Sequence, residues 1–408
     1  MAITFKHHQL PSGLEIIGEV DPEAHTAALG IFVRTGSRDE PSELMGVSHF
    51  LEHMMFKGTA SRTADQINQH FDDIGAVHNA FTSHEMTAFW AHLLPEYLEQ
   101  AEDVLADMLQ PALREDDFNL ERGVILEEIA MYEDEPFWVL YEQLMERYYH
   151  DHPMKHRVLG TKATITDLTR DAMHNYFREH YATHNMVVAY SGNVDFDAAV
   201  ARLTQRTSQW SQTSPSRAHP DFERGEGSLI IESEKVNRTY LLMANAGPAV
   251  QSSDRHAVSM LNAVLGDSDG SRLYWALIDT GLADEAMASY DGRDGMGEQF
   301  MYATCSEEQA DEVQEIMLRE AKHIADSLTE DDLERVRSKV ATSVILAGER
   351  PAGRMRRLGH VWMYFNEYIS LDEELARIQA VTIKDMHQAA EAWPLSPRLI
   401  GRLRPVVS

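Results

Sequence analysis

The chain has 408 residues, 43% of them hydrophobic and 25% charged, so it is too long for a single hydrophobic core and two domains of about 200 residues are expected. Asp and Glu number 66 against 36 Lys and Arg, which gives a formal charge of −30. A field of that sign argues against nucleic acid and anionic membranes as partners and favours basic ligands, unless the charge serves only solubility in a salty cell.

The first predicted elements are short strands, "GLEIIGEV" at 13–20 and "HTAALGIFVRT" at 25–35, which end in turn-forming residues. The segment 41–58 then changes to helical spacing, with Pro41 and Ser42 suited to a helix start and Gly58 to its end. A second amphipathic helix is predicted at 63–76. Alternation from 76 to 94 predicts a pair of strands.

Three further helices are predicted at 95–109, 114–135 and 167–181, followed by a strand at 185–194. The next segment is rich in Ser, Pro and charge and has no apolar period. We interpret residues 213–225 as a linker between domains at 1–212 and 226–408.

The second half of the chain repeats the pattern of the first. Residues 227–247 parallel the opening strands, and 254–266 parallel the helix predicted at 41–58. Thr169–His174 and Thr382–His387 both have Thr followed by Met and His four and five residues later, and a predicted strand follows each. The repeat predicts an α+β fold of two homologous domains, each an antiparallel sheet flanked by helices.

Cys305 is the single cysteine, which excludes an intrachain disulfide and agrees with a reducing compartment. The first residues have no apolar core of signal-peptide length, and no run approaches the ~18 apolar residues of a membrane span. These features predict a soluble, cytoplasmic protein.

The stretch "HFLEH" carries the strongest chemical signal in the sequence. His49 and His53 lie one helical turn apart and could bind one zinc ion, while Glu52 could take a proton from a coordinated water. The third ligand would come from elsewhere in the chain. The alternative is an exposed helix turn that happens to be rich in His and Glu. The interleaved Phe, Leu and Met residues favour a partly buried cluster, which is costly unless it is paired or bound to metal.

Several segments together resemble one family. "HFLEH" followed by "MMFKGT", with "GAVHNAFTSHEMTAFW" and "ERGVILEEIAMYEDEP", resembles the pitrilysin/insulinase family of zinc peptidases, the inverzincins. The chain is most similar to bacterial members related to the mitochondrial processing peptidases. The resemblance covers most of the first half and weakens in the second, where "DGSRLYWALIDTGLA" carries it. It implies a zinc metalloendopeptidase that hydrolyses unfolded peptides in a clamshell chamber.

The resemblance also implies a third zinc ligand, the acid seven residues after the Glu of a Glu-Arg pair. Here Glu121 begins that pair and Glu128 has the required spacing, on the same helix face, whereas Glu127 lies about 100° away. The family pattern makes Glu121 an acid that steadies the ligands or the water. The alternative for Glu121 is an acid near a helix start that interacts with the helix dipole.

For substrate binding, the resemblance implies that Asn79, Ala80 and Phe81 lie on an edge strand. An extended peptide would pair with the backbone of that strand, which gives affinity with little demand on side chains. The alternative is an ordinary strand without a binding role.

One departure from the family pattern concerns a substrate-binding Arg and Tyr seven residues apart in the second repeat. Their positions fall here on Leu277 or Ile278 and on Asp284, and Tyr290 and Arg293 have the wrong spacing. The sequence therefore predicts the zinc-bearing subunit of a heterodimer, with a homologous subunit without zinc supplying the pair. A homodimer is the second choice. The alternative function is a non-catalytic structural or peptide-binding subunit.

Overall fold

The computed structural model describes residues 3–267 and 269–406, which form two compact units. Unit 1 contains the described residues up to Ile129 together with His156–Ala218 and Leu346–Ile369. Unit 2 contains Ala130–Lys155, His219–Ile345 and the described residues from Ser370 onwards.

The described residues contain eleven strands and fourteen α-helices. The strands are β1 (Thr4–Gln9), β2 (Glu15–Val20), β3 (Ala27–Val33), β4 (Val77–Thr82), β5 (Thr87–Leu93), β6 (Met186–Gly192), β7 (Gly227–Ser233), β8 (Thr239–Gly247), β9 (Glu285–Arg293), β10 (Met296–Cys305) and β11 (Leu399–Pro405). The helices are α1 (Val47–Met55), α2 (Ala64–Asp73), α3 (Leu98–Met108), α4 (Glu115–Tyr132), α5 (Pro136–Tyr149), α6 (Lys162–Asp167), α7 (Arg170–His180), α8 (Phe196–Arg206), α9 (Arg255–Gly266), α10 (Ala310–Ser327), α11 (Glu330–Ala347), α12 (Pro351–Phe365), α13 (Leu371–Ala380) and α14 (Ile383–Ala392).

Each unit is built on one sheet, and the two sheets have the same topology. Sheet 1 has the order β1-β2-β6-β3-β5-β4, and sheet 2 has the order β7-β11-β8-β10-β9. Apart from the additional β1, the second order repeats the first strand by strand. The α+β fold with two similar halves is therefore confirmed. The sheets are mixed rather than purely antiparallel, because β2 pairs with β6, and β7 with β11, in parallel.

The two short sequence matches adopt the same local structure. The side chain of Thr169 accepts a hydrogen bond from the backbone N–H of Ala172 and caps α7, and that of Thr382 accepts from Asp385 and caps α14. A threonine in this position satisfies one of the N–H groups that a helix start leaves unpaired. Each capped helix leads into the equivalent strand of its sheet, β6 or β11.

Helices cover both faces of sheet 1. One face packs against α1, α3 and α8, and the other against α12, whose Met355, Leu358 and Trp362 share a buried cluster with Phe32 and Val187. Each of these large side chains contributes about 1.5–3 kcal/mol on burial. In unit 2, α5 packs against β8 and β11.

The compact units differ from the predicted domains in two segments. Helix α5 falls within 1–212 but packs in unit 2, and α12 falls within 226–408 but packs in unit 1. The predicted ranges follow the sequence repeat, whereas packing assigns these two helices to the opposite halves. Residues 212–226, which contain the predicted linker, have no helix or strand. Within the described part of the chain, no helix is both long and apolar enough to cross a bilayer.

Candidate metal centre

The helix that carries the histidines begins later than the sequence pattern predicts. The pattern favours a start at Pro41 or Ser42, but α1 begins only after Gly46, whose φ of 95° lies in the left-handed region that glycine adopts without strain. The buried carboxylate of Glu40 accepts hydrogen bonds from the backbone N–H groups of Gly46 (2.7 Å) and Ser48 (2.8 Å). Glu40 therefore caps α1, because Gly46 at the helix start has no side chain that could accept these hydrogen bonds.

Three side chains from two helices converge beside α1. His49 and His53 lie one turn apart, with 4.6 Å between their ring centroids and the ring planes tilted by 60°. The Nε2 atom of each histidine lies 3.8 Å from Oε2 of Glu128 on α4. Among the described residues, these form the one group of three or more His, Cys, Asp or Glu side chains whose ligand atoms all lie close together, here within 4.8 Å of one another.

The donor set and its geometry fit a zinc ion. Bonds of about 2.1 Å in a tetrahedral shell place neighbouring ligand atoms about 3.4 Å apart. The two 3.8 Å distances to Glu128 need to close by only a few tenths of an ångström, and all three ligand atoms already lie within 4.8 Å of one another. Burial, with a smaller effect from the charge of His53, lowers the pKa of His49 to about 3. His49 is therefore neutral at physiological pH, as a metal ligand must be.

Glu121 fixes the orientation of His53. Its carboxylate accepts a hydrogen bond from Nδ1 of His53 at 2.8 Å, which leaves Nε2 with its lone pair facing Glu128. Lys57 contacts the other carboxylate oxygen at 2.6 Å. Burial alone would raise the pKa of Glu121, but these two partners lower it below the ordinary value, so Glu121 stays ionised.

The predicted alternatives for the α4 acids do not match the structure. Glu121 is the seventh residue of α4 and is buried, so it does not lie in the first turn near the positive end of the helix dipole. Glu127 is exposed, whereas Glu128 is half-buried and lies with the histidines.

Glu52 lies beside this cluster and is held by a residue that the sequence reasoning missed. The hydroxyl of Thr82, at the end of β4, donates to Oε2 of Glu52 at 2.6 Å. Burial raises the pKa of Glu52 above its usual range, and the hydrogen bond from Thr82 partly opposes that rise. A carboxylate with a raised pKa is suited to take up a proton and release it again near neutral pH. The only sequence signal for Thr82 is its place directly after Asn79-Ala80-Phe81.

The predicted substrate strand lies at the edge of its sheet. β4, which contains Asn79, Ala80 and Phe81, is the last strand in the order of sheet 1 and, among the described strands, pairs only with β5. Asn79 is exposed, and Ala80 and Phe81 are half-buried. The other strand-pairing side of β4 is therefore available to a further strand, next to the α1 helix that it contacts.

Comparisons with known proteins decide the family. The profile described as Insulinase (Peptidase family M16) matches residues 15–162, and that described as Peptidase M16 inactive domain matches residues 167–340. A protein of Streptomyces coelicolor named an uncharacterized zinc protease is 34% identical over 397 residues, which cover 95% of this chain and 86% of that protein. The chain belongs to peptidase family M16.

Further relatives of this M16 chain agree with that result. A protein of Mycobacterium leprae, also named an uncharacterized zinc protease, is 33% identical over 93% of this chain and 87% of its own length. The crystal structure of a protease from Helicobacter pylori superimposes with a TM-score of 0.92 at 18% identity, covering 99% of this chain and all of that one. That likeness shows the shared fold. The resemblance to the pitrilysin/insulinase family is thus confirmed.

The second half of this M16 chain differs from the first at the positions of the candidate metal ligands on α1. Helix α9 contacts the edge strand β9 as α1 contacts β4. With Leu51 aligned to Leu261, α9 carries Ser259, Asn262 and Ala263 at the positions of His49, Glu52 and His53. None of these three can replace an imidazole or carboxylate ligand, in agreement with the description of the matching profile as an inactive domain.

The positions predicted for the family's Arg and Tyr hold unrelated side chains. Leu277 is buried in the core of unit 2, and Asp284 pairs with Arg238. The hydroxyl of Tyr290 donates to the backbone carbonyl of Pro248 at 2.9 Å, and Arg293 pairs with acidic neighbours. Tyr290 and Arg293 do not replace the family's pair, because they lie three residues apart in the sequence and the pair lies seven apart.

Proposed function

We propose that the chain is a zinc metalloendopeptidase that hydrolyses peptide bonds in unfolded peptides. The observation that carries the proposal is the convergence of His49, His53 and Glu128, with Glu52 beside them. These three side chains would hold a zinc ion and leave a fourth position for water, and Glu52 is placed beside them for proton transfer. The names of the relatives, zinc protease, support the same chemistry.

In the proposed reaction, His49, His53 and Glu128 would hold the ion. When bound, zinc would lower the pKa of a coordinated water and polarise the scissile carbonyl. Glu52 takes the proton from the attacking water and passes it to the leaving amine, so the same carboxylate acts first as base and then as acid. Thr82 holds Glu52 during both transfers, and Glu121 keeps His53 in the tautomer that presents Nε2.

We propose that substrate is held as an additional strand on the open edge of β4. Asn79, Ala80 and Phe81 would contact the extended peptide, mainly through backbone hydrogen bonds. Pairing of this kind selects unfolded chains, because a folded substrate does not offer a free extended segment. The charge of −30 would favour basic peptides if the acids line the substrate chamber.

We propose further that the chain works with a homologous subunit without zinc, the two facing each other as a clamshell. The support is the absence from the sequence of the family's Arg and Tyr, whose positions hold Leu277 or Ile278 and Asp284. A homodimer is the second choice, and the cytoplasm remains the predicted location.

The test is cleavage of an unstructured peptide mixture by zinc-supplied protein, alone and mixed with a homologous subunit from the same cell, with and without a chelator. In Glu52→Gln we expect cleavage to fall by about 10²–10⁴-fold while zinc stoichiometry stays at one per chain. Glu127→Gln is the matched control, because Glu127 is an exposed acid on the helix that carries Glu128.

The alternative is a non-catalytic structural or peptide-binding subunit, favoured by the missing Arg and Tyr. Peptide binding without chelator-sensitive cleavage, alone and with every candidate partner, would support this alternative. The alternative would also be supported if Glu52→Gln bound peptide with unchanged affinity and neither it nor the unsubstituted protein cleaved the peptide.

A further inference from the structure

A residue of the predicted linker makes a buried ion pair within unit 1. Arg217 lies in the segment without helix or strand, yet its side chain is only 6% exposed. Its Nε and Nη2 atoms each donate to a carboxylate oxygen of Asp39, both at 2.8 Å. A bidentate pair of this kind fixes the geometry of both partners and is not expected of a simple tether.

The same guanidinium also holds the turn that joins β4 to β5, residues 83–86. Nη2 of Arg217 donates to the backbone carbonyl of Glu85 at 2.5 Å. The buried Glu85 carboxylate accepts hydrogen bonds from Arg38 at 2.5 Å and from the hydroxyl of Tyr364 at 2.7 Å. Arg38 and Arg217 thus face Glu85 and Asp39, so each of these four buried charges has an oppositely charged partner.

Close backbone contacts join the turn to the segment around Asp39. The N–H of Ser37 donates to the carbonyl of Ser83 at 3.2 Å, and that of Arg38 donates to the carbonyl of His84 at 2.8 Å. Gly36 permits this approach, because a Cβ at that position would lie 2.3 Å from the carbonyl oxygen of Ser83. The turn is thus clamped between the Gly36–Asp39 segment and Arg217.

The clamped turn begins one residue after Thr82, the side chain that holds Glu52. The position of Thr82 therefore depends on how firmly the turn is held. Glu40, directly after Asp39, caps α1 and so ties the same segment to the helix of the histidines. The ion cluster consequently links the two elements, β4 and α1, between which the Thr82–Glu52 hydrogen bond is made.

We infer that Arg217 is a positioning residue: by clamping the β4–β5 turn, it keeps Thr82 in place against Glu52 and holds the edge strand β4 ready for substrate. The inference rests on the proposed peptidase function for its kinetic part only. A small displacement of a catalytic group costs up to about a hundredfold in rate, so a distant clamp of this kind has a measurable effect on turnover.

The first experiment is hydrogen exchange and peptide cleavage in Arg217→Ala and Arg217→Lys. The lysine variant keeps the charge but carries all its donors on one nitrogen, so it lacks the planar fork with which Arg217 spans both oxygens of Asp39. Arg202→Ala is the matched control, because Arg202 makes a bidentate pair with the buried Glu102 in the same unit, away from β4. We expect amides of residues 82–88 to exchange at least fivefold faster in both Arg217 variants and to be unchanged in Arg202→Ala.

The kinetic expectation is a loss of at least tenfold in kcat/KM for the Arg217 variants at unchanged zinc stoichiometry, against less than twofold for Arg202→Ala. A double-mutant cycle with Thr82→Val tests the route. If Arg217 acts through Thr82, adding Arg217→Lys to the Thr82→Val protein lowers kcat less than twofold.

Three results would overturn the inference: unchanged exchange at 82–88 in Arg217→Lys, equal kinetic losses in the Arg217 and Arg202 variants, or full additivity with Thr82→Val. If the unsubstituted protein shows no metal-dependent cleavage, the proposed function fails, and hydrogen exchange alone decides whether Arg217 clamps the turn. Should Arg217→Ala not fold, Arg217→Lys carries the same comparisons.

Discussion

Replacing Glu121 by Gln removes one negative charge behind His53 and leaves the shape of the side chain almost unchanged. Glu121 is 3% exposed, accepts a hydrogen bond from His53 at 2.8 Å and forms an ion pair with Lys57 at 2.6 Å. A glutamine can offer its single carbonyl oxygen to one of these donors but not to both. We therefore expect His53 to lose its fixed tautomer, while no cavity forms.

The magnitude follows from the general behaviour of the groups behind metal-binding histidines. Removal of such a carboxylate lowers metal affinity by about 10–100-fold, which corresponds to roughly 1.4–2.7 kcal/mol at 1.36 kcal/mol per tenfold change. The assay is a competition titration of zinc against a chromogenic chelator. Glu127→Gln, on the same helix but exposed, is the control and should bind zinc like the unsubstituted protein.

A second readout concerns the metal-free protein. Burial lowers the pKa of His53, but contacts led by those with Glu121 more than reverse this, so the net shift is upward. A raised histidine pKa adds stability that is fully present below the unfolded value of about 6.5 and is lost as the pH rises through the folded value. Glu121→Gln should therefore reduce the free energy of unfolding more at about pH 6 than at about pH 9. Zinc affinity within twofold of the original, with equal stability losses at both pH values, would refute the reasoning.

Four further predictions concern the metal centre, its supports and the repeat. Zinc affinity should fall as the pH is lowered through the pKa of His53, which the contacts with Glu121 raise, and fall further as Glu128, whose pKa burial raises, takes up a proton; a flat profile in chelator competition from alkaline to acidic pH would contradict this. Thr82→Val should raise the pKa of Glu52 further and move the acidic limb of kcat/KM to higher pH, whereas Thr82→Ser should leave the limb in place. Gly46→Ala should lower the free energy of unfolding in urea by more than Gly75→Ala. Both glycines have positive φ, but only at Gly46 would a Cβ crowd the backbone, at 2.7 Å from the carbonyl oxygen of Leu159. Equal losses in the two variants would contradict this. Thr169→Ala and Thr382→Ala should each cost about 1 kcal/mol by the same assay, and a loss in only one of them would argue against an equivalent cap in the two halves.

The sequence was sufficient for the features that depend on local spacing. Hydrophobic periodicity predicted α1, α4 and eight of the eleven described strands, but not β1, β9 or β10. The Thr-Met-His matches marked equivalent helices because a threonine cap has a fixed offset. The separation of His49 and His53 placed both imidazoles on one helix face. Glu128 was reached through the family resemblance, and helix geometry then separated it from Glu127.

The remaining features depend on contacts that lie outside the regular spacing of a helix or strand. Glu40 caps α1 from outside the helix, so the pattern at Pro41 and Ser42 predicted a start several residues too early. Thr82 reaches Glu52 across 30 residues, and Arg217 reaches Glu85 across 132. A single sequence holds no spacing rule for such contacts, because tertiary packing alone brings the partners together.

The helix α12 has a consequence for how the protein is made. Strand β6 leaves the ribosome roughly 170 residues before α12, which at about 5–20 residues per second is a delay on the order of ten to thirty seconds. During that interval Met355, Leu358 and Trp362 have not yet been synthesised. Phe32 and Val187, on the face of sheet 1 that α12 later covers, therefore lack these apolar partners and remain exposed to water. The nascent polypeptide is thus exposed to chaperones and to aggregation until synthesis is nearly complete.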